Sequence, residues 1–190
     1  MRERAKSGRL LGEQSISASI RAGAVGLAAV LLFMLIYYRL PGGLADVALV
    51  IYALLNIAAY QRLGVTITLP AIAGFLLSTG MAVDANILVF ERMKEELREG
   101  NNLREAIDQG FERAWSSIRD SNIATLVVCF ILLLFGRSFG ASMVQGFAWT
   151  LMIGVLISMF TAVVVTRTFV KLAIAPFAEK FNGRGWLLGA

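Results

Sequence analysis

GMAVDANILVFERMKEEL, residues 80–97, begins as an apolar run, carries one carboxylate at Asp84, and turns into a charged segment after Phe90. An ionised aspartate in mid-helix costs about 2.5 to 3.5 kcal/mol in hydrocarbon even on a permissive insertion scale, so such a residue normally faces a bundle interior or a wet cavity. Asp84 lies six residues before Phe90, roughly 9 Å of helix, which is too deep for so short a side chain to reach the interface. The stretch therefore reads as the end of a membrane-spanning helix with a candidate functional acid inside it.

The rest of the chain fits that reading. Of 190 residues 57% are hydrophobic and 16% charged, a balance that points to a polytopic membrane protein. The net charge is +5, but the basic residues flank apolar runs, where membrane topology and lipid contacts account for them, and no nucleic-acid partner is expected. There is no histidine, and Cys129 is the single cysteine, within an apolar run. Imidazole metal sites, a Ser-His-Asp triad and a thiolate cluster are thereby excluded, and neither an enzyme nor a bound cofactor is expected. Any proton chemistry falls to carboxylates.

The chain divides into five spans and one long polar connection. Residues 1–19 read as a polar lead-in, with Ser15, Ser17 or Ser19 available to cap the first span at 20–38. Ala22, Gly26 and Ala29 give that span a small-residue seam. Pro41, Gly42 and Gly43 then predict a tight turn that sends a second span, 44–60, back antiparallel, with Asn56 as its inward polar candidate. The third span covers 66–90, where Pro70 kinks the helix if it falls inside it. Gly74, Ser78 and Ala82 recur every four residues and permit close approach of a neighbour, and Asp84 lies beside that stripe, over Gly80.

Residues 91–120 hold six basic and eight acidic residues, yet Leu103, Ile107, Phe111, Ala114, Trp115 and Ile118 recur at helical spacing behind an Asn102/Glu105 capping box. This predicts a separate amphipathic helix at the membrane face. Its outer face reads either as solvated charge, with Glu91, Glu95 and Glu96 pairing with Arg92, Lys94 and Arg98, or as a docking surface built on Glu91, Arg92, Arg113 and Trp115. The last spans are 121–136 and 143–166, followed by a tail at 173–190. Gly146, Thr150, Gly154, Ser158, Ala162 and Thr166 form a four-residue stripe, which reads first as helix packing and alternatively as the lining of a hydrated path. Asn86, Asn122, Thr125 and Thr161 are polar residues near Asp84 that could support it. With the C-terminus cytoplasmic, that side carries 11 Lys and Arg against 7 outside, although the basic N-terminal cluster conflicts with the rule.

Three motifs in order, GMAVDANILVFERMKEEL, AIDQGFERAWSSIRDSNIATL and GFAWTLMIGVLISMFTAVVVTR, closely resemble the C-terminal membrane domain of the SecD branch of the SecD/SecF protein-export family, and LGEQSI resembles the junction after that branch's external domain. The SecF branch reads more like Asn-Asp where this chain has Val83-Asp84-Ala85-Asn86. The resemblance covers nearly the whole chain. It implies an all-α half-bundle of the resistance-nodulation-division type, five transmembrane helices plus one cytoplasmic amphipathic helix, lacking a first helix and external domain. It further implies a multi-pass subunit of the bacterial inner membrane that works with SecF beside the SecYEG channel, using the proton gradient to help move preproteins, with Asp84 as the intramembrane acid and a basic partner supplied by SecF. Ala124 departs from the family, which commonly has a second threonine before Thr125. A docking subunit without proton coupling, and half of a small-molecule efflux transporter, are the alternatives.

Overall fold

The computed structural model describes residues 2–174 as helices joined by short turns. The elements are α1 (Arg2–Leu63), α2 (Leu69–Arg98), α3 (Leu103–Ser138), α4 (Ser142–Phe160), a π-helical stretch (Thr161–Thr166) and α5 (Arg167–Ile174). Four helical stretches are long and apolar enough to cross a membrane: Gln14–Leu63, Leu69–Arg98, Leu103–Ser138 and the continuous rod Ser142–Ala173. The expected tail at 173–190 lies almost wholly outside the described residues.

α1 is two limbs joined at a sharp reversal. Only Arg39 leaves the helical region, at φ 52° and ψ −114°, close to the first central residue of a type II′ turn. Pro41 falls in the first turn of the second limb, where its missing N–H removes no helical bond. Gly42 rests against the Met34 carbonyl, an approach that a side chain would block. The reversal is thus centred two residues before the Pro-Gly-Gly signal that announces it. The first limb runs parallel to α2, with Gly23 against Leu76 and Tyr38 against Glu91. The second limb runs the opposite way, with Tyr52 bonded to Ser78 and Tyr60 edge-on to Phe75. Gly26 meets open space, so the contact on the first limb is made by Gly23 and not by the whole expected seam. The helix is also continuous through residues 2–38, so no serine caps the first span as expected.

α2 begins under a Thr68 cap with Pro70 in its first turn, so the proline starts the helix and does not kink it. It continues through Arg98, and α3 starts under the Asn102 cap, whose Oδ1 accepts from the Glu105 N–H at 3.0 Å. The amphipathic segment is therefore not a separate helix. Residues 103–120 are the first half of α3, which runs into the apolar residues after Asn122 without interruption. Ser116, Ser121 and Thr125 donate their hydroxyls back to the carbonyls of Arg113, Ile118 and Ser121, so this polar stretch has its side chains satisfied within the helix.

Packing follows the small-residue stripes. In lipid there is no hydrophobic drive between helices, so close backbone approach carries association. A methyl on Gly74 would collide with Thr150 and Phe147, and one on Gly154 with Ser78 and the Tyr52 hydroxyl. Thr150, Ser158, Ala162 and Thr166 are all buried. The long stripe is thus a seam between α4 and α2. Asn56 joins a network in which its Nδ2 donates to the Tyr52 carbonyl and the Tyr60 hydroxyl lies 3.1 Å from Asn56 Oδ1 and 3.2 Å from the Thr150 carbonyl.

Candidate functional site

Asp84 sits halfway along α2 with its side chain on the open face of the helix. The stripe Gly74–Ser78–Ala82 is occupied by α4, while Ala73, Leu77, Gly80 and Asp84 form an exposed line on the other side. Gly80 opens onto free space. Asp84 makes no hydrogen bond or ion pair among the described residues. Burial, expected from its closeness to the seam, is therefore not supplied by the described residues. The seam and the acid are on different sides of one helix.

Two hollows meet at the carboxylate. One, of about 360 Å³, lies between α2 and the first limb of α1, against Val30, Phe33 and Gly80. The other, of about 200 Å³, lies between α2 and α3, against Ile118, Ser121 and Asn122. The structure thus brings Asn122 and Gly80 beside Asp84. Asn86, two residues and about half a turn further along α2, is buried and faces the opposite way, accepting a 3.1 Å bond from the Thr166 hydroxyl. Thr161 is buried and donates to the Ser158 carbonyl, and Thr125 donates within α3, so neither reaches the acid in this state.

A second carboxylate went unnoticed in the sequence. Asp46 lies in the second limb, half-buried and without an ion pair or hydrogen bond among the described residues. Tyr52 bonds Ser78 and the two segments run in opposite directions. Six residues back from Tyr52 and six on from Ser78 therefore reach the same depth, which places Asp46 level with Asp84 on the far side of α2. A carboxylate three residues after a Pro-Gly-Gly turn carries no sequence signal of its depth, which only the pairing of the second limb with α2 supplies.

The polar end of the bundle is knitted from charges that the sequence suggested were solvated. Glu96 is fully buried, its Oε1 2.7 Å from Arg113 Nη1 and its Oε2 accepting from Asn101 Nδ2 at 2.6 Å. The contact with Arg113 brings opposite charges together without a well-directed hydrogen bond to Oε1. Lys94 is also buried, with its Nζ 4.3 Å and 4.5 Å from the Tyr37 and Tyr38 ring centres and 3.4 Å from Glu91. The Tyr38 hydroxyl donates to the same Glu91 oxygen at 2.9 Å. Of the residues considered for docking, Glu91 and Arg113 thus make internal ties. Arg92 pairs with Glu95 at 2.6 Å on an exposed face, and Trp115 borders a cavity between α3 and the rod. Arg167 and Lys171 both bind Asp108 and anchor α5 to α3. Their charge holds the Asp108 carboxyl below its ordinary range, the Lys171 hydrogen bond contributing most.

A polytopic helical membrane domain, seamed by small residues and carrying an acid on an open face, is the class this arrangement defines. Residues 2–175 match the family model described as "Protein export membrane protein SecD/SecF, C-terminal", and the chain belongs to that family. It is 57% identical over 168 residues to the protein translocase subunit SecD of Thermobaculum terrenum, covering 88% of this chain and 33% of that protein. It is 54% identical over 167 residues to the SecD subunit of Synechocystis sp., covering 88% and 34%. The fold matches the crystal structure of SecDF, a translocon-associated membrane protein from Thermus thermophilus, with a TM-score of 0.79 and 38% identity over 92% of this chain and 23% of that one. These relatives place the chain on the SecD side of the family. The chain spans about a third of the length of the SecD relatives it matches.

Proposed function

We propose that this chain is the membrane-embedded, proton-responsive part of a Sec protein-export subunit, acting with SecF beside the SecYEG channel to help move preproteins across the bacterial inner membrane. The observation that carries this reading is Asp84: a carboxylate at mid-helix, where one hollow lined by Gly80 meets another lined by Asn122, with no hydrogen-bond or ion-pair partner among the described residues. An intramembrane acid left open in this way calls for a charge or a proton from elsewhere. Protonation removes the need for a charged neighbour and shifts the balance between two packings of the open face. In this reading the two limbs of α1 cross separately, giving five crossings, with the polar hairpin of residues 91–120 and the C-terminus cytoplasmic.

The test is Asp84→Asn in the full-length subunit. Insertion and expression stay normal while proton-stimulated export falls to background. Export that still responds fully to the proton gradient refutes the proposal.

The exposure of Asp84 also favours a second reading, in which the acid only pairs with SecF and the subunit is a docking element. Here Asp84→Asn lowers co-purification with SecF as much as it lowers transport, whereas under proton coupling the complex survives and only transport is lost.

A further inference from the structure

Where the apolar bundle gives way to its polar end, α2, α3 and the rod leave a cavity of about 390 Å³, a size usual for small-ligand sites. Val89, Ile118 and Val163 make its apolar wall, and Trp115, Glu112 and Arg167 stand around the rest. The two charged residues do not pair with each other. Arg167 gives Nη2 to Asp108 at 3.0 Å, and its Nε–H is buried without an acceptor. Glu112 is exposed and makes no ion pair or hydrogen bond among the described residues. One cavity therefore offers an incompletely satisfied guanidinium, an unpaired carboxylate and a hydrocarbon wall.

We propose that this cavity binds a zwitterionic phospholipid whose headgroup carries a primary ammonium. The phosphodiester meets Arg167, whose planar fork suits phosphate oxygens, and the ammonium meets Glu112. The first acyl methylenes lie along Val89, Ile118 and Val163, and Trp115 takes the interfacial position that indole favours. A choline headgroup has no N–H for the carboxylate, and a glycerol headgroup has no cation and sets its phosphate charge against Glu112. The proposal is independent of the export reading and requires only that the chain lie in a bilayer.

The full 190-residue chain carries tryptophan at 115, 149 and 186, so Trp149→Phe with Trp186→Phe leaves Trp115 as the sole reporter. This protein is reconstituted in vesicles containing phosphatidylethanolamine, phosphatidylcholine or phosphatidylglycerol with brominated acyl chains, and quenching of Trp115 measures occupancy beside it. Brominated phosphatidylethanolamine is expected to bind about two- to five-fold better than brominated phosphatidylcholine, the scale of a partly exposed ion pair. Glu112→Gln brings those two lipids together, and Glu112→Lys shifts the preference to phosphatidylglycerol. Both changes fall on an exposed position, and circular dichroism checks that helix content is kept. Equal quenching by all three lipids in the unsubstituted protein, or an unchanged preference in Glu112→Gln, overturns the proposal. Relief of quenching by added inorganic phosphate also overturns it, because the site would then select a soluble anion.

Discussion

Removing Arg113 should be far more damaging than its exposed position suggests. The side chain is 52% accessible, but its partner Glu96 is fully buried, so Arg113→Met leaves a carboxylate inside the hairpin with only the Asn101 amide to satisfy it. Breaking a fully buried ion pair from one side costs about 3 to 5 kcal/mol. Arg113 stands half in water and Asn101 keeps its bond, so about 2 to 3 kcal/mol is expected, which for a chain of this size lowers the melting temperature by roughly 5 to 10 °C. The additional 3.9 Å contact between Arg113 and exposed Glu99 adds little. Glu96→Gln keeps the acceptor for Asn101 and removes the buried charge, so it costs about 1 kcal/mol or less. The double variant should resemble Glu96→Gln alone, giving a coupling as large as the whole Arg113→Met loss, about 2 to 3 kcal/mol. Cys129, the single cysteine, is buried, so a thiol-reactive fluorophore follows unfolding of the full chain in detergent as temperature rises. If Arg113→Met melts no lower than Glu96→Gln, or if the two losses simply add in the double variant, the idea that Arg113 compensates a buried charge is refuted.

Two other outcomes follow from the packing and from α5. Gly154→Ala places a methyl against Ser78 and Tyr52 at the α2–α4 seam and should cost about 1 to 3 kcal/mol in the same melt, whereas Gly26→Ala, facing open space, should be close to neutral. Asp108 lies on the polar half of α3, where its lowered pKa means that the folded state prefers the ionised form. Its contribution is therefore present above the ordinary aspartate range and lost as pH falls through and below it. Because the site is about half exposed, Asp108→Asn should cost no more than about 1 kcal/mol at neutral pH and remove that acid-side dependence, read from proteolytic release of the segment after Thr166.

Much of this arrangement is written locally. The four-residue spacing of Gly74 and Ser78, and of Thr150 and Gly154, announces a seam because only small residues let two helix backbones meet, and the structure joins those two stripes to each other. The buried face of residues 103–118 follows from apolar spacing alone. What escaped notice depends on tertiary context. Residues 116–122, polar except for Ile118, straddle the boundary expected between the polar connection and the span at 121–136, but they contain no glycine or proline and the Ser116 and Ser121 hydroxyls bond back to the helix, so α3 continues. Glu96 has basic neighbours on its own helix, yet its partner is 17 residues away on α3. Asp84 is visible as an acid in an apolar span, but closeness to a packed stripe does not show on which side of the helix the side chain lies. That depends on which neighbour takes the stripe, and α4 takes it from the other side.

The unbroken course of α3 has a mechanical consequence. Thirty-six residues of α-helix form a rod of about 54 Å, with the Glu96–Arg113 tie roughly a third of the way along and Asn122 beside Asp84 near its middle. A rod without an internal hinge behaves as a lever. Tilting it by about 10° around its middle carries each tip roughly 5 Å, so a sub-ångström change in packing beside the acid would be magnified into a displacement of the polar hairpin instead of being absorbed by a loop.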